Sequence, residues 1–151
     1  MIEPIDDDER TNSLGLFNTA EAYRLSAMAL PPIKHGHADR PLCFLYCHAL
    51  ELYLKALLRE EHSMATVRDK FGHQIKLLMR EAEMLGLVVS DTDRDVLALI
   101  DDTDAMIDSR YIRTGTKVLV APEALRRTCK NIRDGVGTIL YNNEVLVRLA
   151  D

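Results

Sequence analysis

Three features of the sequence predict a single all-α domain, built as an antiparallel up-and-down bundle of about five helices. Apolar residues recur at three- and four-residue spacing in five segments, the connections between these segments are short, and one segment is apolar on nearly every side. The chain has 151 residues, enough for one sizeable core. We therefore expect one domain over residues 13–151, preceded by a flexible acidic arm over residues 1–12.

The composition excludes several classes of protein. A hydrophobic fraction of 47% with 28% charged residues excludes wholesale disorder. Charged residues interrupt every apolar run, and the acidic N-terminus lacks the apolar core of a signal peptide, so we expect no membrane span and a cytoplasmic location. Three cysteines, an odd number, indicate reduced thiols. The net charge of −5 gives no general attraction to nucleic acid, although residues 110–133 are basic.

The first helix is predicted from about Ser13, a plausible N-cap, to Leu30. Pro31 and Pro32 end it, because proline cannot continue a helix. The Pro, Gly and Asp content of residues 31–41 then predicts a loop.

The second helix is predicted over about Pro41–Glu61, and its surface is almost entirely apolar. Such a helix has to be buried between its neighbours or at a subunit interface, and we expect it to be the central helix of the bundle. Its polar exceptions are His48, Glu51, Lys55 and Arg59.

Residues 62–71 are polar and predicted to be irregular. A third helix follows from about His73 to Leu85, and Gly86 is a natural residue to stand just beyond its end.

The fourth helix starts at an Asp-rich cap and runs to about Asp108. An extended conformation is an alternative for residues 110–120, because they include three β-favouring aliphatic residues in a row. Pro122 opens a last helix that runs to about Leu149, with candidate kink positions at Gly135 and Gly137.

The polar stripe of the central helix is the first candidate for chemistry. Spacings of three and four residues place His48, Glu51 and Lys55 on one helix face. One interpretation is a solvated Glu51–Lys55 ion pair at the edge of the helix. The other is a polar site in which a buried charge requires a partner, and Arg110 is a candidate partner for Glu51.

His73 is the second candidate. One interpretation is that it caps or packs at the start of the third helix. The alternative is an acid or base that works near pH 7, where the charge of histidine is easily changed.

Two sets of residues carry side chains that metals bind, but both have a simpler explanation. The first set combines two histidines in a loop with two cysteines one helical turn apart: His35, His37, Cys43 and Cys47. A shared helix face carries Asp101, Asp104 and Asp108. We favour core cysteines and a solvated acidic face, and we expect no metal. Without a Gly-rich phosphate loop in the sequence, we expect no cofactor either.

Three segments resemble the HEPN family, helical domains found beside minimal nucleotidyltransferases and in prokaryotic defence systems. They are PLCFLYCHALELYLKALL (41–58), FGHQIKLLMREAEML (71–85) and DSRYI (108–112). The family pattern has a Glu and a Lys four residues apart, then a Gly-His helix start, then Arg-Tyr. The resemblance covers roughly residues 14–147, and the matching residues are Glu51, Lys55, Gly72, His73, Arg110 and Tyr111.

The resemblance implies a helical bundle, usually a homodimer, with a role near RNA or nucleotides and a nucleotidyltransferase or another protein as partner. The leading hypothesis is therefore a binding or regulatory module. In it Glu51, Lys55, His73, Arg110 and Tyr111 form a polar site. A basic rim that attracts phosphates would comprise Arg113, Lys117, Arg126, Arg127 and Lys130.

Two other functions stay open. HEPN members that cleave RNA carry an Arg-x4-6-His motif, and Arg68 and His73 have this spacing, although they straddle a loop with Gly72 where the family has a late helix. A metal-independent, toxin-type endoribonuclease would use His73 as acid or base, with Arg68 or Arg110 stabilising charge. The remaining alternative is a purely structural dimerisation module without a ligand, in which the polar stripe is a buried network.

Overall fold

The computed structural model describes residues 10–31, 39–102 and 120–149. Every regular element in these ranges is helical and the helices pack as a bundle, which confirms the predicted all-α fold. The helices are α1 (Ser13–Ala29), α2 (Asp39–Leu58), α3 (Met64–Thr66), α4 (Ile75–Met84), α5 (Asp91–Asp102) and α6 (Pro122–Asn142).

Helix α2 is the centre of the bundle, as its apolar surface predicts. It packs against α1, α6 and α4, and its large side chains at Tyr46, Leu50 and Tyr53 are fully buried. Residues Arg40–Leu58 are long and apolar enough to cross a membrane by length and composition, which the charge-interrupted runs did not suggest. However, 72% of this stretch is buried inside the bundle, which is the environment of a core helix in a soluble domain.

The N-cap of α1 is Asn12, so the assignment of this role to Ser13 is wrong. The Asn12 side-chain oxygen accepts a hydrogen bond from the backbone N–H of Gly15 at 2.8 Å. Ser13 is buried instead, and its hydroxyl donates to Glu60 just beyond α2 at 2.7 Å. The helix ends before Pro31, as predicted.

The prediction of an irregular segment at 62–71 is wrong, because α3 continues into a π-helical turn at Val67–Phe71. Ser63 caps this segment by accepting a hydrogen bond from the backbone N–H of Thr66 at 3.1 Å. Val67 and Phe71, four residues apart, are both buried and anchor the turn. The burial of these two side chains against the rest of the bundle thus stabilises a helical turn in a mostly polar segment, where the periodicity of the sequence does not predict one.

Helix α4 begins at Ile75, two residues later than predicted, because α5 supplies its cap. The carboxylate of Asp101 accepts hydrogen bonds from the backbone N–H groups of Ile75 at 3.1 Å and Lys76 at 2.9 Å. An acidic group is favourable at a helix N-terminus. Asp101 is therefore a structural cap, and the described residues contain no group of three or more His, Cys, Asp or Glu side chains that could hold a metal.

Helix α6 ends at Asn142, not near Leu149 as predicted. Pro122 does stand in its first turn. The chain then leaves the helix at Glu144, which has a φ of 67°, and the N–H of Val145 donates to the carbonyl of Leu140 at 2.9 Å. The following residues return along α6, where Arg133 donates to the carbonyls of Arg148 and Leu149, and Leu146 is exposed.

Gly135 and Gly137 lie within α6 and permit close packing, and the kink at these positions stays a prediction. A Cβ at Gly135 would lie 2.7 Å from the Cδ1 of Leu87. A Cβ at Gly137 would collide with Leu149 and press on Phe17. These two glycines let the chain segments on either side approach α6 directly.

Candidate functional site

Glu51 and Lys55 form a buried ion pair on α2. Lys55 Nζ lies 2.7 Å from Glu51 Oε1, and the two side chains are 9% and 2% exposed. The interpretation as a solvated edge of the helix is therefore wrong. A charge on a core helix requires a partner, and here the helix supplies it one turn away.

His73 completes the cluster from outside α2. Its Nδ1 lies 2.5 Å from Glu51 Oε1, yet its side chain is 66% exposed. Phe71 anchors the preceding turn in the core, and Gly72 has a φ of 56°, a conformation that glycine adopts without strain. These two residues set the path that brings His73 over Glu51.

The two carboxylate oxygens of Glu51 have different environments. Oε1 receives both Lys55 and His73. Oε2 is buried and has no hydrogen-bond partner among the described residues. A carboxylate that holds the Nδ1 of a histidine leaves Nε2 as the ring nitrogen able to contact a ligand. The cluster can therefore present an oriented imidazole to solvent.

His48, the third member of the predicted stripe, belongs to the core packing. Its ring centroid lies 4.4 Å from that of Tyr23 in an edge-on arrangement and 5.7 Å from that of Phe44, on which it stacks. These ring contacts give His48 a packing role in the bundle.

Arg68 does not join the cluster. It is exposed on the π-helical turn, and its Nε lies 3.2 Å from Oδ1 of its neighbour Asp69. The structure gives no hydrogen bond or ion pair between Arg68 and His73 within the described residues. The remaining site residues of the prediction, and the loop histidines, lie outside those residues: Arg110, Tyr111, Arg113, Lys117, His35 and His37.

The described part of the predicted basic rim is largely neutralised by local carboxylates. Arg126 forms a two-bond ion pair with Glu123, and Lys130 Nζ lies 3.0 Å from Asp134. Arg127 is exposed on the same helix. Helix α6 therefore offers less free positive charge to phosphates than its sequence suggests.

A second polar cluster, which the sequence analysis missed, joins α1, α2 and α6 around Glu21. The hydroxyl of Tyr53 donates to Glu21 Oε1, and so do Arg24 Nε at 3.2 Å and Arg133 Nε at 3.0 Å. Arg133, 2% exposed, also donates to Asp134 at 2.8 Å. We call these five residues the Glu21 network.

Electrostatics hold the Glu21 network in its ionised form. Burial by itself would raise the pKa of Glu21, but hydrogen bonds from Tyr53, Arg24 and Arg133 outweigh it and lower the pKa below 4.5. Burial, followed by the hydrogen bond to Glu21, raises the pKa of Tyr53 far above its usual range. Three donors therefore surround the ionised Glu21, and one of them, Arg133, also binds Asp134.

A signal for this network was present in the sequence. Arg24 stands between Ala20 and Ala27 on the predicted inner face of α1, and Arg133 follows Cys129 by four residues on that of α6. A charged residue at a core spacing indicates a buried pair. The spacing of three residues on α1 predicts a contact between Arg24 and Glu21, whereas the contact between Arg133 and Glu21 joins two helices and depends on their packing.

The cysteines are free and buried, which agrees with the interpretation of Cys43 and Cys47 as core residues. Burial raises the pKa of the Cys47 thiol to about 12 and that of Cys129 beyond its usual range. Thiols in this state are poor nucleophiles and poor metal ligands.

Comparison of the chain with protein-family models, curated proteins and solved structures gives no match. The geometry of the site is thus the basis for assigning it a function.

Proposed function

We propose that this protein is a HEPN-like binding module that contacts RNA or nucleotides through the Glu51–Lys55–His73 cluster. The observation that carries the proposal is the 2.5 Å contact between a buried carboxylate and the Nδ1 of an exposed histidine. A histidine with no task beyond solubility does not need a carboxylate in the core to orient it.

The arrangement favours a contact with phosphate or ribose at His73. Glu51 accepts at Nδ1 and so directs Nε2 away from the helix, where it can donate to an oxyanion when the ring is protonated. Lys55 neutralises Glu51 from inside the bundle, so the carboxylate does not by itself repel an approaching anion. The local charges of α6 largely cancel, which makes this cluster the main candidate for affinity within the described residues.

The proposal is tested by RNA binding. A fluorescein-labelled single-stranded RNA is titrated with wild type and His73→Ala, and binding is followed by fluorescence anisotropy. We expect the substitution to weaken binding about tenfold, the factor for ~1.4 kcal/mol, which is typical of one charge-assisted hydrogen bond.

The matched control is His62→Ala. His62 also pairs with a glutamate, its Nε2 lying 2.8 Å from Glu81 Oε1, but its side chain is largely buried. We expect this variant to bind as wild type does. Equal loss in both variants, or no RNA or nucleotide binding by wild type, would contradict the proposal and favour the structural module.

A metal-independent ribonuclease is the second candidate, and one observation favours it. A histidine held by a carboxylate has the geometry of a general acid or base. Arg68, paired with Asp69, is not positioned by any described contact to assist it, so charge stabilisation would depend on another cation. If the protein is a ribonuclease, we expect wild type and Arg68→Ala to cleave RNA and His73→Ala to be inactive. Equal cleavage by wild type and His73→Ala excludes the activity.

The same proposal includes a cytoplasmic location and a homodimer or a protein partner such as a nucleotidyltransferase, as the family resemblance implies. Sedimentation velocity tests the dimer directly: a single species at the mass of one chain, 17.1 kDa, would exclude it.

A further inference from the structure

The outer face of helix α1 carries no charge. The helix has two charged residues: Arg24 is buried, and Glu21 is engaged in the Glu21 network. Every residue of α1 that is exposed to solvent is uncharged, and together they are Gly15, Asn18, Thr19, Ala22, Leu25, Ser26, Met28 and Ala29. Helix faces that stay in water commonly carry charged side chains, so this face differs from an ordinary solvated surface.

The solvent faces of the other outer helices do carry charges. Exposed charged residues lie on α4 at Arg80, on α5 at Asp91 and Asp95, and on α6 at Arg127 and Lys130. The uncharged face therefore distinguishes α1 from the other described helices of ten or more residues that surround the central α2.

Large apolar side chains project from this face. Leu25 is 52% exposed and Met28 is 50% exposed, and the exposed Leu30 follows just beyond the end of the helix. Met28 and Leu30 also line an open cavity of about 250 Å³, which the ion pair of Glu123 and Arg126 lines as well. Apolar side chains without free charge beside a satisfied polar pair have the composition of a protein–protein interface.

The partner that suits this face is a second copy of the chain. Each copy carries a net charge of −5, so two copies repel one another overall, and a face without charge is the one through which they approach at the lowest electrostatic cost. A strongly basic or acidic partner would gain no ion pair on this face.

The spacing of the face matches its own copy. Helical periodicity places Asn18, Ala22, Leu25 and Ala29 along one line of α1. If two copies of α1 pack antiparallel about a two-fold axis midway between Ala22 and Leu25, each Leu25 lies opposite Ala22 of the other copy. A large side chain then meets a small one on both sides of the axis, as a self-complementary contact requires.

We propose that the uncharged face of α1 pairs with the same face of a second copy, in antiparallel orientation, to form a homodimer. This inference rests on the homodimer included in the proposed function and adds the surface that forms it.

Sedimentation velocity of wild type, Leu25→Lys and Ala22→Glu tests the surface. Wild type is expected to sediment at twice the chain mass of 17.1 kDa. Each substitution is expected to raise the dissociation constant of the dimer about a hundredfold, because the two-fold axis brings two unpaired charges into the contact. Both new residues favour helices and replace exposed side chains, and far-ultraviolet circular dichroism with urea unfolding confirms that the variants are folded.

The matched control is Met84→Lys, which places the same charge on an apolar residue of α4 that is 81% exposed. We expect this variant to remain dimeric, as wild type does. A rescue experiment then mixes Leu25→Lys with Ala22→Glu in equal amounts. The antiparallel contact sets the new ammonium of one chain opposite the new carboxylate of the other, so the mixture is expected to form a dimer that neither variant forms alone.

The outcomes separate this inference from the proposed function. A dimeric wild type that both α1 variants leave dimeric overturns the α1 surface and leaves the homodimer standing. A mixture that stays monomeric overturns the antiparallel pairing. A monomeric wild type overturns this inference and the homodimer together, whereas RNA binding through His73 is measured separately and does not depend on that result.

Discussion

Two carboxylates of the bundle, the buried Glu51 and the partly exposed Glu21, have opposite surroundings. Glu21 accepts hydrogen bonds from a tyrosine and two arginines that come from three helices. Glu51 accepts from one lysine on its own helix and from one exposed histidine, and one of its oxygens has no described partner. A fully satisfied carboxylate fixes helices against one another, whereas an incompletely satisfied one keeps capacity for a ligand.

The comparison leads us to expect the larger stabilising contribution from the Glu21 network, whereas the Glu51 cluster is the site for which we propose a ligand. Removal of Glu21 takes a shared carboxylate from two buried arginines, of which Arg133 keeps its ion pair with Asp134. In the Glu51 cluster the same change affects Lys55 and an exposed histidine that water can solvate. The following predictions test this division, from the largest expected effect to the smallest.

Glu21→Gln is expected to lower the free energy of unfolding by about 3 kcal/mol, because Arg24 and Arg133 then remain buried without their shared carboxylate. Glu51→Gln, the isosteric change in the other cluster, is expected to cost about 2 kcal/mol, because it takes the carboxylate from one buried cation, Lys55, and not from two. Urea denaturation at pH 7 measures both. Equal losses would break the division between the two carboxylates.

Low pH is expected to lower the free energy of unfolding through Glu21, as the substitution Glu21→Gln does. The pKa of Glu21 lies below its ordinary value of 4.5 in the folded chain, so its ionised form stabilises the fold above that pH. This contribution is lost as the pH falls below 4.5 toward the lower folded pKa. Urea unfolding at pH 7 and pH 3 should therefore show a smaller pH dependence in Glu21→Gln than in wild type; an unchanged dependence would contradict the assignment.

The smallest expected effect concerns the thiols, and it appears in their rate of reaction with a thiol reagent and not in the stability of the fold. Cys47 and Cys129 lie in the core of α2 and α6, and burial raises the pKa of Cys47 to about 12. At pH 8 we expect Ellman's reagent to leave both thiols unreacted in the native protein and to modify them once urea unfolds it. Rapid reaction of either thiol in the native protein would show that the core around the Glu21 network opens.

Sequence periodicity predicted the helices well because it reports burial along one element. The apolar surface of α2 indicated its central position, and Pro122 marked the start of α6. Periodicity failed where contacts with another part of the chain determine whether a segment is helical or where a helix begins. Asp101 sets the start of α4 from a different helix, and the buried pair Val67 and Phe71 stabilises a helical turn in a polar segment.

The candidate site divides in the same way. The sequence by itself determined that Glu51 and Lys55 share a helix face, since a spacing of four residues fixes this in any helix. Only the tertiary structure decided that the pair is buried and that His73 lies on Glu51, because the π-helical turn and Gly72 set the path of the chain between them. The Glu21 network divides in the same way. A spacing of three residues places Arg24 beside Glu21 in any helix, whereas Tyr53 and Arg133 reach Glu21 from two other helices and their contacts depend on how the helices pack.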